Sequence, residues 1–281
     1  MRIMNPRSRL SLCISNEGIC SSGSVKRYYF RNYVLQDMLL IIFWSVALFA
    51  AFLGTTAGFG ISSILLPVAL MFFDFPTSLA LVSIFHLSGN VGRIVFFHRG
   101  IDRRMVTTVG GASVILTLVG ASLVSIVFQP VLRLLLGLAL MGYMVLSTVM
   151  PSVQITPSLR NRFVGGSVYG FSAGLIGTGG PIRGALLSAF QLSPQTYIST
   201  SGAISFLVDM IRVPTYLLNG FLQPRFYVYV PLLFLVAITG AVLSRQLVAR
   251  TSSTRFRQLI RIAIGGVGFK LVVENLILLM R

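Results

Sequence analysis

GLIGTGGPIRG, residues 174–184, breaks an apolar region with five glycines, a proline and an arginine. The apolar segments on either side, 164–176 and 181–191, would measure about 20 and 17 Å as helices. Neither crosses the roughly 30 Å of bilayer hydrocarbon alone. The pattern predicts two half-helices that meet inside the protein, because irregular backbone at membrane depth survives only where it is packed or lines a cavity. Gly177, Gly179 and Gly180 permit the sharp turn, and Pro181 suits the first turn of the next helix, where its missing N–H costs nothing. Free N–H groups and the positive end of the helix dipole would then face the interior and favour an anion. Arg183 falls in that first turn, where a cation is locally unfavourable. Its position implies a compensating anion, or a partner such as Asp209. The plainer reading is a small-residue surface for close helix packing.

The surrounding composition fixes the solvent. Only 10% of the 281 residues are charged and 55% are hydrophobic, with mean hydropathy +0.86, whereas soluble domains carry about 25% charged residues. Runs such as Met38–Ala57, Thr77–Phe97 and Met105–Phe128 are long enough to span a bilayer. They lack the alternation of a transmembrane barrel. The expected fold is all-α and polytopic, with about 8–10 transmembrane or half-membrane helices. The 23 Lys and Arg outnumber 6 Asp and Glu, giving a formal charge of +17. They cluster in short loops, which indicates membrane topology rather than nucleic-acid binding. Cys13 and Cys20 lie in a polar tail, residues 1–37, with no histidine pair beside them. The tail lacks a signal-peptide core and is expected to be disordered; Met38 is a candidate functional start.

Working outward from the break, the chain repeats itself. Gly58-Phe59-Gly60 matches Gly177-Thr178-Gly179, and Asn90-Val91-Gly92-Arg93 matches Asp209-Met210-Ile211-Arg212, both at an offset of 119 residues. Two membrane repeats emerge, 38–150 and 164–281, joined by a basic loop at 151–163. The expected helices are 38–57, 61–73, 77–97, 105–128, 131–150, 164–176, 181–191, 195–218, 226–244 and 257–280. Five elements per half implies inverted repeats, with the substrate site between them. Arg99, Arg103 and Arg104, then Arg160 and Arg162, then Arg245, Arg250, Arg255 and Arg257 mark three loops on one side, expected to be cytoplasmic. The basic N-terminal tail conflicts with this orientation unless residues 61–73 dip into the membrane and return.

Ionisable residues inside membrane segments are costly and point to function. Arg93 and Arg212 occupy matching positions; snorkelling to the interface is the alternative for each. Asn90 and Asp209 lie one turn before them. Asp209 could pair with Arg212 or take up a proton, and His86, on the same helix face as Arg93, could titrate near neutral pH. Glu274 is expected at an interface. Ser62, Ser63, Thr178, Ser199, Thr200 and Ser201 bring hydroxyls near the breaks.

Gly58-Phe59-Gly60-Ile61-Ser62-Ser63-Ile64-Leu65-Leu66-Pro67 and Gly174-Leu175-Ile176-Gly177-Thr178-Gly179-Gly180-Pro181 resemble the two glycine-rich motifs of the TauE/SafE sulfite exporter family. The second stretch matches well. In the first, Ile61 stands where the family pattern commonly has another glycine. The resemblance implies a multi-pass transporter of the cell membrane that moves a small sulfur-containing anion such as sulfite or an organosulfonate. Gly58, Gly60, Ser62, Ser63 and Gly177 to Pro181 would hold the anion, with Asn90, Arg93, Arg183 and Arg212 beside them. Asp209 and His86 are the candidates for proton coupling. No nucleotide-binding GxxxxGK[ST] stretch occurs, and no cofactor or metal is expected. The expected partners are the anion and membrane lipid; a homodimer is one arrangement the sequence allows. Two alternatives remain: a passive anion channel, and an intramembrane serine hydrolase built on Ser199-Thr200-Ser201-Gly202 with His86 or His98 as base.

Overall fold

The computed structural model describes residues 42–52, 62–97, 100–149, 156–247 and 254–280. Trp44–Arg281 form one compact unit, and it holds the site. All regular structure among the described residues is helical. We number the helices α1 (Ile42–Phe52), α2 (Ser62–Ala69), α3 (Phe75–Phe97), α4 (Arg103–Leu123), α5 (Gln129–Val149), α6 (Leu159–Ile176), α7 (Gly180–Ser188), α8 (Pro194–Leu218), α9 (Tyr229–Leu247) and α10 (Thr254–Leu279). Five are long and apolar enough to cross a membrane: α3, α4, α5, α8 and α9. The protein is an all-α, multi-pass membrane protein. The tail with Cys13 and Cys20, the segment Gly58–Gly60, His98 and Arg99 lie outside the described residues.

Several expected boundaries shift: 61–73 is observed as Ser62–Ala69 and 105–128 as Arg103–Leu123. The segment expected at 164–176 begins at Leu159 and has 18 residues, about 27 Å of helix. Its polar first turn, with Arg160 and Arg162, hid that start, yet Ser158 caps it by accepting from the Asn161 N–H at 3.1 Å. By contrast α7 has 9 residues and α2 has 8. At about 14 and 12 Å, neither spans the hydrocarbon.

Small residues let the backbones approach. On α6, Gly166, Gly170 and Gly174 recur every fourth position and meet the carbonyls of Val109, Ser113 and Thr117 on α4, also four apart. The two helices run parallel. Ser113 Oγ donates to Gly166 O at 2.9 Å and Thr117 Oγ1 to Gly170 O at 3.1 Å. A Cβ at any of the three glycines would strike backbone. Close packing and a helix break are therefore both present, in adjacent stretches of one glycine-rich segment. The same device recurs elsewhere: Gly120 of α4 abuts the backbone of Phe171 and Leu175, and Gly240 of α9 abuts Ala51 and Phe52 of α1.

α3 and α8 cross at the centre of the molecule. They run antiparallel: His86 and Asn90 meet Asp209, and Arg93 lies against Gly202. The apolar faces of α5 and α9 point outward, with Leu135, Leu138, Leu146, Leu232 and Leu235 exposed, as a lipid-facing surface requires.

Candidate functional site

The break sits where the sequence placed it. Gly177 ends α6 in the left-handed region, φ 74°, and a Cβ there would collide with Leu79 and Leu66. Two hydroxyls fix the turn: Ser63 Oγ pairs with Thr178 Oγ1 at 2.8 Å, and Ser172 Oγ donates to Thr178 O at 2.8 Å. α7 then starts at Gly180, with Pro181 in its first turn and no side-chain cap on Gly179. Within that first turn Pro181 has no N–H and Arg183 donates its own to Gly179 O at 3.1 Å, which leaves the N–H groups of Gly180 and Ile182 without a side-chain cap.

The unsatisfied carbonyls at the end of α6 are taken by α8. Arg212 Nη1 donates to Ala173 O at 3.3 Å and to Gly177 O at 3.2 Å. Tyr216, one turn on, gives its hydroxyl to Gly174 O. A cation at a helix C-terminus also complements the dipole. Arg212 and Tyr216 lie four residues apart, on one face of α8. That spacing was the available clue to this cap, and sequence reasoning missed Tyr216.

Asp209 anchors the crossing. Its Oδ1 accepts from Arg212 Nε at 2.7 Å. Its Oδ2 accepts from Asn90 Nδ2 at 2.7 Å and pairs with His86 Nδ1 at 2.8 Å. Arg93 Nη1 donates to Asn90 Oδ1 at 3.3 Å. Asn90 and Asp209, 119 residues apart, thus touch one another directly. Arg93 and Arg212 are each 2% exposed, so neither snorkels.

Of the two alternatives for Arg183, a compensating anion or a partner such as Asp209, the pairing with Asp209 is not found. Arg183 is fully buried, 0% exposed. Its Nη1 donates to Tyr169 Oη at 3.0 Å and to Ser205 Oγ, and its guanidinium lies 5.3 Å from the Tyr169 ring centre. No carboxylate stands within ion-pair distance of it among the described residues. Its Nε and Nη2 have no hydrogen-bond partner, nor has His86 Nε2. Tyr169 and Ser205 are the residues that sequence reasoning passed over. Ser205 stands at the 119-residue offset from His86, a signal that was available.

These groups converge. Arg183, His86, Arg212 and Tyr169 line one narrow pocket together with Ser62, Gly179 and Gly180. Its free space, part of it open to the outside, amounts to about 180 Å³. Ser63, Thr178, Asn90 and Arg93 stand behind this lining, as partners of one another or of Asp209. Gly177 and Pro181 shape the turn. Gly58 and Gly60 lie outside the described residues.

The serine stretch of α8 is occupied structurally. Ser199 Oγ donates to Gln195 O at 2.9 Å, Thr200 Oγ1 accepts from the Asp102 N–H at 2.9 Å, and Gly202 packs on Arg93. His86 turns to Asp209 and not to Ser201. His86 is therefore not placed as the base of that serine stretch, and His98 lies outside the described residues.

A search of curated proteins returns no significant match. A family model for the sulfite exporter TauE/SafE matches residues 43–271, most of the chain and all of the elements that build the pocket. The family is one of membrane transporters and not of enzymes, and this chain belongs to it.

Proposed function

We propose that the protein is a secondary transporter that carries a small sulfur-containing oxyanion, sulfite or an organosulfonate, across the cell membrane through the pocket at Arg183. The supporting observation is the state of Arg183: a wholly buried residue of the pocket lining, with two unpartnered guanidinium nitrogens and no carboxylate beside it among the described residues. Three buried arginines, Arg93, Arg183 and Arg212, stand against Asp209, the single buried acid among the described residues. An uncompensated charge at this depth is costly, and an oxyanion offsets it. Guanidinium suits the task because its planar fork gives parallel N–H donors to two oxygens. The first turn of α7 adds backbone N–H groups on the adjoining side.

The two-repeat organisation, 38–150 and 164–281 joined by the loop 151–163, fits this reading. Asn90 and Asp209, equated by the repeat, meet across antiparallel helices, as two inverted halves would require at their shared axis. The reciprocal packing of α4 on α6 and of α9 on α1 agrees with it.

The test is anion binding by the purified protein in detergent, using calorimetry with sulfite, thiosulfate, sulfate and methanesulfonate. At least one should bind to the wild type. R183M should weaken it by roughly a hundredfold, the scale for a buried charged hydrogen-bonding group, with R183K intermediate. Equal affinity in R183M, or no binding by any of the four, would refute the assignment.

A further inference from the structure

We propose that His86 is the proton-binding group of this pocket, and that a proton on its Nε2 and the anion bind together, so that the carrier works as a proton–anion symporter. This rests on the anion site described above. His86 is 3% exposed, and its two ring nitrogens have opposite situations. Nδ1 lies 2.8 Å from Asp209 Oδ2. An ionised carboxylate only accepts, so Nδ1 carries the hydrogen. The Asn90 amide, 3.1 Å from the same nitrogen, points its own hydrogen at the same carboxylate oxygen. The neutral ring must then present a lone pair at Nε2. That atom is buried, has no partner and belongs to a residue lining the pocket, as do the two unpartnered nitrogens of Arg183.

A lone pair aimed at an oxyanion repels it, whereas an N–H donates to it. One proton taken from water onto Nε2 converts the first into the second, with the Nδ1–H bond to Asp209 kept. On release the same proton returns to water on the other side. The surroundings enforce the coupling. Arg93 shares α3 with His86. From α8 come Asp209 and Arg212, from α7 Arg183, and from α6 Tyr169. α2 brings Ser62, which does not titrate here. α9 also packs on α3, but its Tyr229 stacks against Phe226, 5.9 Å between ring centres, and serves the aromatic cluster there. A cation formed at His86 therefore meets other cations in the pocket, and an anion relieves that repulsion. Each ligand raises the affinity for the other by the same factor. Asp209 is the fixed anchor of this device: both of its oxygens already accept hydrogen bonds.

The experiment is calorimetric titration of the full-length protein with thiosulfate at pH 7, in buffers that differ in ionisation enthalpy. The wild type should take up about one proton per anion, and affinity should fall by up to tenfold per pH unit as pH rises. H86Q should lose both the uptake and the slope. A reconstituted wild type should acidify the vesicle lumen when thiosulfate is driven in. Binding without proton uptake in the wild type, or uptake that persists in H86Q, overturns the symport assignment and leaves the anion site standing. Should H86Q fail to fold, the wild-type titration and the vesicle assay decide the matter. Failure of thiosulfate and of the other three anions to bind would instead remove the anion site, and this inference with it.

Discussion

In the proposed two-repeat organisation α3 and α8 fill corresponding places, yet they divide the chemistry unequally. α3 contributes an amide and an imidazole, Asn90 and His86, where α8 has a carboxylate and a hydroxyl, Asp209 and Ser205. The arginines Arg93 and Arg212 are retained on both sides. The second half adds Arg183 where the 119-residue offset in the first half gives Ile64. Equal halves would place two carboxylates face to face, at the 2.7 Å that separates Asn90 from Asp209. Like charges that close in a buried site cannot both ionise. One carboxylate shared across the crossing by an arginine, an amide and an imidazole avoids that conflict, and it leaves Arg183 for the pocket.

The largest effect should come from removing the shared carboxylate. D209L strips Arg212, Asn90 and His86 of their common acceptor, and should cost about 3–5 kcal/mol. The thermal midpoint in detergent should drop by on the order of 10 °C. A smaller change would mean that the crossing is held mainly by apolar packing.

The comparison can be sharpened by exchanging its two sides. N90D alone sets two carboxylates together and should destabilise strongly. N90D combined with D209N moves the charge to α3, beside Arg93, and should recover part of the loss, with a coupling of roughly 1–3 kcal/mol. Strict additivity of the two substitutions would count against equivalence of the two sides.

A third measurement compares the flanking helices. Gly120 faces the backbone of α6 and Gly240 that of α1. G120A and G240A should each lower stability by about 1–3 kcal/mol through overpacking. A loss at one site only would confine the close approach to that pair of helices. The smallest effect belongs to Tyr216, whose hydroxyl meets Gly174 O. Y216F should cost about 1 kcal/mol in thermal unfolding and leave the Asp209 ion pair intact.

Much of the architecture was legible because lipid imposes simple rules. Apolar runs marked α3, α4, α5, α8 and α9, and Gly177–Pro181 marked the break, since few other residues tolerate that turn. The start of α6 was not legible: Arg160 and Arg162 make its first turn look like a loop, and only the cap at Ser158 gave it away. Partner choice was less accessible still. Asp209 was equally able to serve Arg183 or Arg212 on sequence grounds. Burial on α7, with Tyr169 and Ser205 in reach, decided it. Those contacts join α6, α7 and α8, and no local spacing encodes them.

The grip of Arg212 on Ala173 O and Gly177 O has a mechanical consequence. Those oxygens belong to the last turn and cap of α6, so α8 holds that end as a latch holds a door edge. The hinge glycine cannot swing while the latch is closed. Any tilt of α8 must carry the end of α6, the turn and the root of α7 along with it. A shift of α8 by itself would have to break both of these bonds.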